Sequence, residues 1–292
     1  MIKRCVCAGT VLAVLALVLG WLPARADGHH LFRPVPRTEM RELSTDRPDL
    51  TESPYTVDAG HIQLEMDLFV ASEDVLAHRK AHATSVAPVN LKFGLDAATD
   101  LQLVFEPYVR ESFGPNTGLY TGVGGAPGAG SVTSRGHGPL TLRLKRNLYG
   151  NDGGPFAIAM MPFLVTPSAG GDFDRGAWQG GLIVPVARDW KGVGSTGWMV
   201  ELDLVRDGED EAPHAEWLLT GTIGRDLVGA LGGFMELAAL MRAEHFGGAT
   251  SQLDLGVTYG IGADLQLDAG SRMGLNKAAT NSEFFMGFAW RR

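Results

Sequence analysis

Thirteen charged residues alternate with apolar neighbours along the chain: Glu65, Asp67, Lys92, Glu106, Arg110, Arg143, Lys145, Glu201, Asp203, Glu236, Asp254, Asp268 and Arg272. Both signs are present, so the chemistry open to them is ion pairing with one another or contact with a polar solute. A second set, Asp46, Arg47, Asp49 and Glu52, sits in STDRPDLTESP, a polar stretch broken by Pro48 and Pro54. Nucleophilic catalysis asks for a base beside a nucleophile. His78, His82, His137, His214 and His245 fall in loops or at strand ends, His61 opens a strand, and no Ser–His pair shares a strand depth. His29-His30 near the terminus reads as solvated rather than as a metal site. The run GVGGAPGAG lacks the Gly-Lys-Ser/Thr and the strand-to-helix context of a phosphate loop. No cofactor and no metal centre is therefore expected.

The elements that carry these residues have a period of two. Ile62, Leu64, Met66, Leu68 and Val70 oppose Gln63, Glu65 and Asp67, as in a β-strand lying between an apolar and a wet phase. The pattern returns at 86–95, 101–110, 140–145, 156–165 (apolar on both faces), 178–190, 198–204, 215–223, 235–241, 252–261, 265–276 and 284–290. About twelve strands of roughly ten residues result, and an even number returns both ends to one side. Short turns follow the second, fourth, sixth, eighth and tenth strands, with Asn151-Asp152-Gly153-Gly154 the strongest hairpin signal. Longer polar connections follow the others: the charged stretch 72–84, the Gly-rich loop Glu111–Gly138 and the acidic tip Asp207–Pro213. Phe156, Trp190, Trp198 and Trp290 lie near strand ends on the short-turn side, Trp178 and Trp217 on the other. Two aromatic belts and asymmetric loops point to an all-β, transmembrane antiparallel up-and-down barrel. A soluble sandwich or lipocalin-like barrel, with its apolar face turned into a core, is the competing architecture.

Composition agrees with export. Residues 1–26 carry Lys3 and Arg4, an apolar run from Val11 to Leu22 and Ala24-Arg25-Ala26, the layout of a cleaved signal peptide. Its removal takes both cysteines and moves the formal charge from −8 to −11, which disfavours nucleic acid as a partner. Residues 27–59 then form an irregular amino-terminal segment on the periplasmic side, and 60–292 the barrel.

The segment Ser44 to Pro54 followed by Gly60-His61-Ile62-Gln63-Leu64-Glu65 resembles the signature of the "meta-pathway of phenol degradation" family of outer-membrane transporters. LTLRLKRNLYGNDGG (140–154) and LQLDAGSRMGLNKAA (265–279) are similar to its recurring strand-and-turn blocks. The ending departs from such barrels, with Arg291-Arg292 where an aromatic is usual, which displaces the assembly signal to Trp290. The resemblance implies a transport role and not a substrate, and the function expected here is passive uptake of small molecules, hydrophobic or aromatic ones included, across the outer membrane of a Gram-negative bacterium. The implied partners are outer-membrane lipid, a small-molecule substrate and the barrel assembly machinery. A lipid-acting enzyme and a structural or adhesive barrel remain as alternatives. The thirteen alternating charges are expected in the lumen. Asp46, Asp49 and Glu52 are expected to fold back into the barrel base as a plug, pairing with Arg143, Lys145 or Arg272, with Arg47 on a lumen carboxylate. A solvated leader is the competing placement.

Overall fold

A computed structural model describes residues 28–76, 79–115, 131–173, 176–206, 212–243 and 248–292. The expected signal peptide, His78, His245, the run GVGGAPGAG and most of the acidic tip lie outside the described residues. Sixteen strands form one antiparallel sheet: β1 Ile62–Leu76, β2 Arg79–Val86, β3 Val89–Asp96, β4 Thr99–Phe105, β5 Tyr108–Pro115, β6 Val132–His137, β7 Thr141–Tyr149, β8 Phe156–Val165, β9 Gly170–Gly171, β10 Gln179–Trp190, β11 Gly194–Val205, β12 His214–Val228, β13 Leu231–Arg242, β14 Thr250–Ile261, β15 Leu265–Gly274 and β16 Ser282–Arg291. β16 pairs with β1 from Gln63↔Arg291 to Glu73↔Ser282, which closes the ring of strands. Lipid demands that closure, because nothing there can satisfy a bare strand edge.

The sixteen strands make twelve staves. β1 pairs with both β2 and β3, β2 with β5 and β3 with β4, so β2/β3, β4/β5, β6/β7 and β8/β9 are each one stave interrupted part-way. The interruptions fall at Ala87-Pro88, Glu106-Pro107, Gly138-Pro139 and Thr166 to Ala169. Proline has no N–H for the ladder, so a proline at each break ends the pairing there. The breaks stand side by side and form a seam in the wall, bridged by backbone hydrogen bonds from Asp67 N to Pro88 O (3.0 Å), Gly138 N to Glu106 O (2.8 Å) and Thr166 N to Leu140 O (2.9 Å). On the short-turn side, Gly150, Gly192, Gly229 and Gly262 take positive φ, which a tight hairpin requires and glycine accepts without strain.

The two faces decide between membrane and water. Leu219, Leu237, Val257, Leu267 and Phe284 are between 40 and 56% exposed on the outside, while Glu65, Lys92, Lys145, Glu236 and Asp254 are buried inside. A soluble barrel would have these reversed. Trp178, Trp190, Trp198 and Trp290 stand exposed near stave ends, as membrane-interface rings do. The chain is therefore a closed twelve-stave transmembrane β-barrel.

Four expectations are corrected. The register of β1 against β16 slips between Asp67 and Phe69, so Val70 pairs with buried Phe285 and joins the inner face. The charged stretch 72–84 is not a connection but the far ends of β1 and β2. Most of the remainder of Glu111–Gly138 outside 116–130 is likewise β5 and β6. Arg110 was expected in the lumen, yet the break at Glu106-Pro107 shifts the phase and turns it outward. It shares a cross-strand row with Thr84, Ala71 and the outward Phe284.

Candidate functional site

The bore of the barrel is occupied by residues 44–58, which have no regular secondary structure. Such a backbone must find hydrogen-bond partners when it is buried, and lumen side chains supply them. Glu236 accepts from the N–H groups of Leu50 (2.7 Å) and Thr51 (2.8 Å) and from the Thr51 hydroxyl (2.5 Å). Asp100 accepts from Val57 N at 3.0 Å, Asn151 from Thr56 N at 3.0 Å and Glu65 from Asp46 N at 3.2 Å. In return Asn147 donates to Pro54 O at 2.9 Å and Gln63 to Ser44 O at 2.7 Å. The polar inner face thus acts as a surrogate sheet for an irregular segment.

Charges then fix its position. Asp46 accepts from Lys145 at 2.6 Å and Lys92 at 2.5 Å, and Lys92 also meets Glu65; all four side chains are at most 4% exposed. Burial alone would raise the Asp46 pKa, but Lys145 and Lys92 outweigh it and hold the carboxyl well below the usual range. Arg47 bridges Asp268 at 2.6 Å and Asp67 at 2.7 Å. Glu52 pairs with Arg143 at 2.5 Å. Arg272 binds Glu283, lies 3.5 Å from Asp254, reaches Pro48 O at 3.4 Å and covers the ring of Phe285 at 4.4 Å. Among the described residues no cation pairs with Asp49: burial first and then the charge of Glu236 push it up to about 8, against a hydrogen bond with Thr222. Two inward glycines make room, since a Cβ at Gly94 would stand 2.0 Å from Asp58 O and one at Gly287 2.4 Å from the Arg47 guanidinium.

Of the thirteen alternating charges, Glu65, Asp67, Lys92, Arg143, Lys145, Glu236, Asp254, Asp268 and Arg272 gather around this segment. Glu201 and Asp203 point inward on β11, opposite Ile183 and Gly181 of β10. Glu106 lies in the seam, and Arg110 is outside. Several partners carried no sequence signal of their own: Gln63, Asp100, Asn147 and Asn151 look like ordinary polar strand or turn residues. Arg291, which breaks the usual aromatic ending, points inward, donates to Arg41 O at 2.9 Å and lies 3.5 Å from Asp58. The displaced ending thus anchors the root of the segment. Among the histidines, His61 donates to Val35 O at 2.8 Å, His137 to Gly138 O at 3.0 Å, and His214 meets Glu216 at 2.9 Å. None of these contacts sets a base on a nucleophile.

One side of the bore is not polar. Met161 and Phe163 of β8, Ile183 of β10 and Met199 of β11 form a buried apolar cluster, with Val165 and Leu218 packed against it. This explains why β8 is apolar on both faces. Val165 also lines a cavity of about 250 Å³ at the seam, together with Glu106, Val109, Pro139, Pro167 and Phe173. At the other end, the Met199 sulfur accepts from Glu52 N at 3.4 Å. A continuous apolar stripe therefore runs from the seam to the segment. A second cavity, of about 320 Å³, lies beside Pro48 and Asp49 against Asp189, Ser195, Arg225 and Thr258 on the short-turn side.

A family model described as "Putative MetA-pathway of phenol degradation" matches residues 45–292. The chain belongs to this family. The match begins at Thr45, so this MetA-pathway family signature takes in the bore-filling segment as well as every stave. Among solved structures, the COG4313 outer membrane channel from Pseudomonas putida F1 aligns with 85% of this chain and 100% of its own, at 12% identity and a TM-score of 0.57. The NanC porin aligns with 79% of this chain and 99% of its own, at 8% identity and a TM-score of 0.46. At such identity the likeness to the COG4313 channel is one of fold. No curated protein matches the chain in sequence.

Proposed function

We propose that the protein is an outer-membrane channel for passive uptake of small hydrophobic molecules, aromatic ones included. The observation that carries this reading is the apolar stripe of Phe163, Met161, Ile183 and Met199 inside an otherwise charged bore, reached from the seam cavity and ending on the amino-terminal segment. A channel for ions or sugars gains nothing from such a stripe, whereas an apolar solute loses hydration cost at each step along it. The segment 44–58 serves as the plug: its ion pairs close the polar side of the bore, and the buried apolar side, on which it rests at Met199, is the route that an apolar solute would open. The family's tie to phenol degradation and the COG4313 channel's fold support a channel of this kind. Residues 1–26 serve as the export signal, the exposed belts sit in outer-membrane lipid, and the aromatic strand β16 presents Trp290 to the assembly machinery.

The test is uptake of radiolabelled monoaromatic and fatty solutes by cells lacking the gene, complemented with wild type or with Phe163→Gln/Met161→Gln. Two buried apolar side chains made polar are expected to reduce entry several-fold, while heat-modifiable migration in gels stays intact. Unchanged uptake by the double variant sinks the reading.

A further inference from the structure

The residue expected inside and found outside stands in a setting of its own. Phe284, Ala71, Thr84, Arg110 and Arg135 form one cross-strand row over β16, β1, β2, β5 and β6. Phe284 is 46% exposed while Phe285, the next residue, is 1% exposed in the bore, so the whole row faces outward. Arg110 and Arg135 are directly opposed across the β5–β6 ladder, and both are exposed. Like charges at that position repel, and among the described residues neither guanidinium has an ion pair. Acids on the neighbouring strands have contacts of their own. Glu73, two rows higher in β1, is held by Lys80 at 3.1 Å and His82 at 3.6 Å, and Asp172 accepts the backbone N–H of Arg135 at 2.8 Å. Glu111 lines the seam cavity.

Height in the wall completes the picture. Below Arg110 on the same stave the outward residues are Leu101, Leu103, Phe105 and then Tyr108, 40% exposed, in a row with Val86 at 41%. An exposed tyrosine above an apolar band marks the membrane–water interface. The two arginines stand one row beyond it, on the side of the longer connections, where lipid headgroups lie.

We propose that Arg110 and Arg135 form an outward-facing binding site for the phosphate groups of the phosphorylated glycolipid of the outer leaflet. Guanidinium matches phosphate bidentately, and a bound phosphate turns the repulsion of the pair into a clamp. The glycolipid is favoured over a soluble anion because the row opens sideways at headgroup level, and a bound acyl body would cover the exposed Tyr108, Val86 and Phe69–Phe284 surface beneath it (the two rings 5.8 Å apart). The inference rests on the outer-membrane reading above.

The experiment uses the full purified protein in a non-ionic detergent, with binding of bisphosphorylated lipid A compared with the same lipid stripped of both phosphates. Wild type is expected to prefer the phosphorylated lipid by about tenfold or more, the scale of a charge-assisted hydrogen-bonded contact. Arg110→Gln/Arg135→Gln is expected to abolish the preference, and Arg110→Lys/Arg135→Lys to keep only part of it. Equal binding of the two lipids by wild type, an unchanged preference in the glutamine variant, or competition by inorganic phosphate at the lipid's own concentration would overturn the site. Heat-modifiable migration of each variant reports the barrel independently, so loss of the fold is distinguishable from loss of the site. If the glutamine variant does not fold, the wild-type comparison of the two lipids decides.

Discussion

At the residue scale the bore is governed by how few charges are left alone. Asp46 faces two buried lysines, so Asp46→Asn takes one of two ion pairs from Lys92, which keeps Glu65, and leaves Lys145 with Asp100 across the β4–β7 ladder as its nearest acid partner. Removing one member of a buried ionic cluster costs on the order of 3 kcal/mol or more, and the hold of the segment is expected to weaken by that amount. Maleimide labelling of a cysteine at buried position 51 (Thr51→Cys) checks this: labelling is expected to be far faster in the Asp46→Asn background. Equal rates would mean that Asp46 does not anchor the segment. Asp49 works in the opposite sense. Its pKa is raised to about 8, by burial first and by Glu236 second, so the folded form holds its proton more tightly than an unfolded aspartate does. By linkage, stability is greatest below the ordinary aspartate range and declines as pH climbs toward 8, above which the loss is complete. The midpoint of thermal release of the segment is therefore expected to fall between pH 5 and 8, and Asp49→Asn is expected to flatten that slope. A slope unchanged by the substitution assigns the effect to another group.

At the scale of elements, the seam divides the wall unequally. β2, β5, β6 and β9 stand on its far side, where the ladders are interrupted and only isolated bonds at Pro88, Glu106 and Leu140 cross between neighbouring staves, whereas β10 to β16 run unbroken. Local opening follows the density of ladder bonds and apolar contact. Amides of 79–86, 108–115 and 132–137 are thus expected to exchange at least about tenfold faster than those of 231–242 and 265–274 in hydrogen-exchange mass spectrometry; equal protection would show that the seam carries no weakness. The same division accounts for what could be read from the sequence. Within the apolar band, one face must be greasy and the other not, so staves such as β11, β14 and β16 announce themselves by period two. Beyond the band both faces are wet, the alternation vanishes, and the charged ends of β1 and β2 look like a loop. The bulge after Asp67 leaves no compositional trace, because it changes only which face Val70 joins. Prolines stand at the breaks, but the phase shift they impose on Arg110 depends on the ladder with β2, which no local pattern contains. Among the site residues, charges could be recognised by type, whereas Asp100, Asn147 and Asn151 matter only because the segment's backbone passes them.

At the scale of the molecule, the polar interior and the amino-terminal segment explain each other. Twelve staves enclose a bore wider than the side-chain-filled eight-stranded barrels and narrower than the sixteen-stranded porins. Side chains alone do not fill it, so the segment completes the packing, and its unpaired backbone in turn dictates inward Glu236, Asp100, Asn147 and Gln63. Deletion of residues 44–56 separates wall from filling. The staves keep every ladder bond, including the closing pairs of β1 with β16, so the barrel is expected to assemble and to retain heat-modifiable migration. Its bore, now lined by Lys145 and Glu236 without their partners in the segment and by the Lys92–Glu65 pair without Asp46, would hydrate, because water is the remaining way to solvate those charges. Conductance in planar bilayers is therefore expected to rise several-fold over wild type, with a fall in thermal stability, and permeation of polar solutes should appear. The apolar stripe would lose its selective role, since a wet bore passes sugars and aromatics alike. A deletion variant that folds but conducts no better than wild type would show that the closure lies elsewhere in the wall.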